Sequence, residues 1–217
     1  MSQGKTIIMD TTRCTACRGC QIACKQWNAL PATKTVQTGT YQNPPDTGFE
    51  TWKVVRFSEG LKEDKKPYWY FFSDMCRHCV DPPCKMTSDT ADPKAIIHDA
   101  ATGAVVMAKA PYKGNFKEVR DACPYNIPRQ DEKTKVMAKC TMCFDRITNG
   151  MVPACVKSCP TGALTFGERD EMLKAAKDRV EELKKNSPLA KAIDLNDVRV
   201  VFIVIDDPKK YHKYASS

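Results

Sequence analysis

Residues 14–24 read CTACRGCQIAC, a C-x₂-C-x₂-C-x₃-C run. Three thiols spaced two residues apart lie around one tight turn, whose backbone N–H groups can point inward at the sulfurs. Soft donors ringed by amide dipoles suit an iron–sulfur cube. Gly19 fits such a turn because glycine tolerates positive φ. The fourth cysteine, Cys24, is expected to start a helix and face away, so that it ligates a second cube.

The far end of the chain supplies the complementary half. Residues 139–164, KCTMCFDRITNGMVPACVKSCPTGAL, carry C-x₂-C-x₁₁-C-x₃-C-P. The first three cysteines of this run need a ligand from elsewhere, and Cys159, followed by Pro160, can be donated. Two-cluster ferredoxins cross-link their halves in this way. The expected ligand sets are Cys14, Cys17, Cys20 and Cys159 for cluster one, and Cys140, Cys143, Cys155 and Cys24 for cluster two.

A middle group, CRHCVDPPC, gives Cys76, Cys79 and Cys84, and by the same crossing Cys123-Pro124 completes cluster three. The reciprocal set is missing. Ser88 stands where a donated cysteine belongs, and Lys113, Phe116 and Val119 stand where three cysteines would precede Cys123. Loss of one complete set describes three clusters on a four-cluster plan. Phe116 and Val119 are expected to fill the vacated volume, because a cavity of that size is costly, and Lys113 to reach solvent. Alternatively, residues 108–120 form a surface loop.

Twelve cysteines in 217 residues is far above ordinary usage. Structural zinc also uses C-x₂-C pairs, but a triple with a trailing Cys-Pro is unusual for it. Tight spacing and the absence of a visible export signal argue against a disulfide scaffold. His78, inside CRHC, reads as a structural neighbour of the ligands; His98 and His212 carry no signal. The formal charge of +8 counts every thiol as neutral. Three oxidised cubes with their thiolates carry about −2 each, which leaves about +2 and removes the case for a nucleic-acid partner. The longest apolar run, Val200 to Ile205, is one buried strand and not a membrane span. No GxGxxG run, G-x₄-GK[ST] loop or catalytic triad is present.

The expected fold class is α+β: tandem bacterial-ferredoxin-like units with short strands and hairpins, plus a C-terminal helix and strand. Residues 1–72 with 134–167 form one unit holding two clusters, 73–133 an inserted unit holding one, and 168–217 a C-terminal helix, strand and tail. Strands are expected at 6–9, 48–57, 66–74 and 163–166, a hairpin at 95–107, and a surface loop at 31–47. Residues 168–186 form a helix with the stripe Leu173, Ala176, Val180, Leu183. A strand at 198–205 follows, and the polar tail DDPKKYHKYASS is expected on a surface or a partner.

From about residue 5 to 167 the chain resembles the iron–sulfur electron-transfer subunits of molybdopterin and tungstopterin oxidoreductases. The carriers are CTACRGCQIACKQWNALP, CRHCVDPPC, ACPYNIPR and the 139–164 segment. ACKQWNALP and YQNPPD-x-x-x-E-TW look like the beta subunit of formate dehydrogenase, and the three-cluster count is similar to the soluble tungsten-type enzyme of sulfate-reducing bacteria. The resemblance implies an electron carrier without catalysis of its own. Its partner would be a large W/Mo-bis-pterin catalytic subunit in a heterodimer, with a multihaem cytochrome c as acceptor. It also implies a periplasmic location reached on the partner's signal. Alternatives are the iron–sulfur subunit of another pterin oxidoreductase, a stand-alone polyferredoxin carrier, or a cytoplasmic location.

Overall fold

A computed structural model describes residues 4–217. Its central element is a four-stranded sheet in the order β8 (Leu164–Glu168), β1 (Lys5–Asp10), β10 (Val200–Val204) and β9 (Lys191–Ile193). β1 pairs antiparallel with β8 (Met9 opposite Leu164) and parallel with β10 (Ile7 opposite Val200). Every residue of β10 is buried, as a continuous VVFIV run requires of a strand covered on both faces. One cover is α6 (Arg169–Lys184), which turns Ala176 and Val180 inward, with Leu173 and Leu183 partly covered. Acids lead this helix and Lys184 closes it, complementing its dipole. Another cover is Phe72, whose ring stacks on Phe202 at 4.1 Å.

Phe72 belongs to the long antiparallel hairpin of β2 (Val54–Leu61) and β3 (Pro67–Asp74). The first of these strands begins later than the sequence suggests. Residues 48–53 close a local turn instead, with Gly48 N donating to Thr51 O at 2.9 Å and Thr51 N to Gly48 O at 3.2 Å. The expected hairpin forms as β4 (Ile96–His98) and β5 (Val105–Met107), with His98 opposite Val105. Residues 31–47 form no helix or strand. The short helices are α1 (Gly19–Trp27), α2 (Pro83–Asp89), α3 (Phe116–Asp121), α4 (Phe144–Ile147), α5 (Ala154–Lys157) and α7 (Pro208–Tyr211); β6 (Arg129–Gln130) and β7 (Met137–Ala138) pair as a minimal ribbon.

The C-terminal residues are more integrated than the sequence implies. β10 sits between β1 and β9 within one sheet. Val200 N donates to Arg77 O at 2.9 Å and Val80 N to Asp197 O at 2.8 Å, so this segment also pins the CRHC loop. The tail folds back on the chain. Tyr211 stacks on Tyr70 at 4.4 Å, the Tyr70 hydroxyl donates to Asp206 at 2.9 Å, and Ala215 is buried. Its polar sequence hides two apolar anchors three and seven residues past Pro208. Among the described residues no helix is long and apolar enough to cross a membrane.

Candidate metal centres

None of the twelve cysteines is in a disulfide, and the fold gathers them in three quartets. Cys14, Cys17, Cys20 and Cys159 line one pocket of about 310 Å³, counting its open mouth. Cys76, Cys79, Cys84 and Cys123 line another of about 330 Å³. Cys24 lies near Cys140, Cys155 and Cys143, and burial first, with these neighbours adding to it, raises its thiol well above the ordinary range. Cys20 and Cys24 thus serve different quartets from one helix. The helix begins at Gly19, so Cys24 lies in its second turn and does not open it as the sequence reading has it.

Left-handed residues make the turns. They are Ala16 (φ 54°) and Arg18 (φ 61°) in the first group, His78 (φ 47°) in the middle one, and Met142 (φ 58°) and Cys143 (φ 51°) in the last. Gly19 is not among them; Arg18 takes the strained position, and Gly19 opens the helix. Such residues point amides inward. His78 N donates to Cys76 Sγ at 3.3 Å, Met142 N to Cys140 Sγ at 3.4 Å and Ala154 N to Cys143 Sγ at 3.5 Å. Cys159 is partly buried, which raises its thiol, but the amides of Leu164, Thr161 and Ala163 and the Thr161 hydroxyl outweigh that and lower it. Ser73 Oγ lies 3.4 Å from Cys20 Sγ, and Asn28 Nδ2 lies 3.8 Å from Cys24 Sγ.

Burial and mutual proximity act together on the thiols. Burial comes first, and neighbouring thiols add to it, pushing Cys14 up to about 11 and both Cys84 and Cys140 up to about 12. Thiolate ligands need the opposite, and a positively charged metal core supplies it. The thiols ring a space and do not converge on a point: among the described residues no three His, Cys, Asp or Glu are set to hold a single ion. Open rings of sulfur with inward amides fit a cube better than tetrahedral zinc.

The quartets follow one another in a row. With the Cys14 set as quartet one, the Cys24 set as quartet two and the Cys76 set as quartet three, Cys155 of quartet two lies within electrostatic reach of Cys20 of quartet one, and Cys140 of quartet two within that of Cys76 of quartet three. Cys24, Cys140, Cys143 and Cys155 are all buried, whereas Cys17 is exposed and Cys79 and Cys123 are partly exposed. The row therefore has a covered middle and two accessible ends.

His78 is fully buried beside Cys76, and its Nδ1 accepts from Val105 N at 3.0 Å. Burial, Lys139, His98 and Arg199 hold its pKa well below the usual range, so a neutral ring packs under quartet three. His98 is half-buried, and His212 packs beside Asp74.

Three of the four positions without a cysteine, Ser88, Phe116 and Val119, lie on or against the elements around Cys84 of quartet three. Ser88, fully buried in α2, donates to Lys85 O at 3.0 Å. Val119 is fully buried in α3 and shares a small apolar core with Cys84, Ile96, Val105 and Tyr112, against which Phe116 packs. Lys113 is exposed. Residues 116–121 are helical and capped by Asn115, so the surface loop considered as the alternative for 108–120 holds only for 108–115, which form no helix or strand and are mostly exposed. Sequence reading passed over two lysines, Lys53 and Lys139, which are 1% and 3% exposed. A lysine in TWKVV, between apolar residues ahead of a strand, and one directly before Cys140 were the available signals.

Residues 67–169 match a family described as 4Fe-4S dicluster domain. The chain is 53% identical over 216 residues to the formate dehydrogenase subunit beta of Megalodesulfovibrio gigas, covering 99% of each chain. It is 50% identical over 214 residues to the formate dehydrogenase 2 subunit beta (cytochrome c-553) of Nitratidesulfovibrio vulgaris, covering 97% of this chain and 98% of that one. Against the formate dehydrogenase-O iron-sulfur subunit of Escherichia coli it is 35% identical over 211 residues, covering 94% of this chain and 69% of the relative.

Proposed function

We infer the details of this protein's role from one premise: the chain belongs to the family of beta, or iron–sulfur, subunits of formate dehydrogenase. It is an α+β, ferredoxin-like, iron–sulfur electron-transfer subunit that works with a catalytic alpha partner and does not itself turn over formate. Our reading of the cofactor is three 4Fe–4S clusters, held by Cys14, Cys17, Cys20 and Cys159; by Cys140, Cys143, Cys155 and Cys24; and by Cys76, Cys79, Cys84 and Cys123. The carrying observation is the division of twelve thiols into three quartets in a row.

When bound, such clusters supply one-electron redox chemistry. The chain's residues do the rest. Inward amides hold and polarise the sulfurs. The buried middle quartet keeps water away from the path, and the two less covered quartets give a partner access at each end. We read quartet three as the exit. The infill of Val119 and Phe116 packs in an apolar core with Cys84, and on this reading the missing cube would have extended the row at that end. The partner is taken to carry a bis-pterin W or Mo site. A cytochrome c, as in the name of the N. vulgaris relative, is the proposed acceptor, multihaem by resemblance. Resemblance alone supports a periplasmic complex exported on the partner's signal.

Anaerobically purified complex should yield about twelve iron and about twelve acid-labile sulfide assignable to this chain. Formate should reduce these clusters in the complex and leave the isolated chain oxidised. A content near sixteen iron, or zinc in place of iron, would sink the three-cluster reading.

A further inference from the structure

Each junction between neighbouring quartets encloses one buried lysine. Lys53, just before β2, lies between quartets one and two. Its strand is fixed to α1, because Val55 N donates to the Gln21 side chain at 2.9 Å, and its ammonium contacts Met75 Sδ at 3.0 Å. Lys139 lies between quartets two and three, where its ammonium donates to the carbonyls of Val105 and Cys140 (3.3 Å to the latter) and to Cys76. A buried ammonium without an anion is expensive. The groups facing Lys53 most strongly are Cys155, Cys20, Cys140 and Cys24, and those facing Lys139 are Cys76, Cys84 and Cys140, which would be thiolates when they hold a cluster; no carboxylate is among them. Both side chains are nonetheless enclosed, Lys53 1% and Lys139 3% exposed, with Met75 Sδ as the acceptor for one and backbone carbonyls for the other.

We propose that Lys53 and Lys139 are fixed positive charges that stabilise the reduced state of the clusters on either side of each junction, the middle cluster most because it is flanked by both. This rests on the three-cluster reading. A cluster gains one negative charge on reduction, and a buried cation beside it favours that gain in a medium where charge is poorly screened. Each lysine keeps its proton while one electron leaves one quartet's cluster and one arrives at the next. The pair would thereby keep the most buried cluster from becoming a barrier in the row.

The test uses the whole complex with Lys53→Gln, Lys53→Arg, Lys139→Gln and Lys139→Arg, each assayed for iron and then titrated potentiometrically by EPR. Glutamine keeps a hydrogen-bond donor and loses the charge; arginine keeps both. Each glutamine variant should lower the reduction equilibrium constant of the middle cluster at least tenfold, which is 59 mV for a one-electron couple. Lys53→Gln should also shift cluster one, and Lys139→Gln cluster three, while the arginine variants restore the wild-type order. Equal potentials in glutamine and arginine variants with full iron would overturn the proposal. So would loss of iron in both, which would assign the lysines to packing. Wild-type iron content tests the three-cluster reading separately.

Discussion

Replacing Cys24 with alanine separates crossed ligation from ligation within one loop. Cys20 and Cys24 are four residues apart on α1, a rise of about 6 Å along its axis. A local site would use both; here Cys20 lines the pocket with Cys14, Cys17 and Cys159, while Cys24 faces Cys140, Cys155 and Cys143. Cys24→Ala therefore removes one of four thiolates from quartet two alone. About four of about twelve iron should be lost, or about one if a three-iron remnant survives. The loss should spare quartet one. Because quartet two is the covered middle of the row, formate in the intact complex should still reduce one end cluster, while electrons reach the other far more slowly. Cys17→Ala, on the exposed rim of quartet one, should remove a different EPR signal. Iron and sulfide analysis followed by cluster-resolved EPR reads both. If Cys24→Ala and Cys17→Ala abolish the same signal, the crossing is wrong.

The infill beside quartet three predicts opposite outcomes at two nearby positions: Val119→Asp, at a fully buried site, should destabilise the folded chain by several kcal/mol, on the order of 3 or more, while exposed Lys113→Ala should change stability by no more than about 0.5 kcal/mol, both read by chemical denaturation under anaerobic conditions. A pH effect is expected at His212, where burial, opposed by Asp74 and aided by Arg56 and Arg77, lowers the pKa to about 4. The depressed value means that stability is complete above the unfolded pKa of about 6.5 and is lost as pH falls toward 4; between pH 7 and 5 the loss should be about 2 kcal/mol, and His212→Gln should flatten that part of the wild-type profile.

The metal centres are the most legible part of this sequence, because ligand spacing is a local code and cysteine has few other uses at that density. Pairing Cys123 with Cys76, Cys79 and Cys84 needed only the crossing rule, and the structure places those four thiols around one pocket. Elements set by long-range packing were harder to read. Lys53 lies in a turn that looks like the start of a strand, and its burial becomes sensible only beside thiols from residues 20, 24, 140 and 155. The tail shows the same limit. Periodicity cannot show that Tyr211 will stack on Tyr70, since the two are joined only by the fold. β9 and the parallel β1–β10 pairing were likewise invisible locally, although β10's apolar run marked it as a buried strand.

If three cubes stand on a four-cube plan, crossed ligation would let one cube be absent while its neighbour kept every ligand. A loop carrying three thiols and then Cys123 would have two tasks, holding its own cluster and delivering Cys123 to the other. α3 keeps the second task. Asn115 caps the helix by accepting from Lys117 N at 3.1 Å, Val119 seats it in the apolar core beside Cys84, and at its end Cys123 N donates to Arg120 O at 3.0 Å. Beyond it the left-handed Asn126, whose N donates to Cys123 O at 3.0 Å, turns the chain, and the amides of Ile127 and Tyr125 support the Cys123 sulfur. Ser88 completes the exchange on α2, its hydroxyl satisfied by the carbonyl of Lys85 one turn back, so that no polar atom is stranded where a thiolate would have reached out. On that plan a helix anchored by Val119 stands where a metal-held loop would be, and it packs in one apolar core with Cys84 of quartet three.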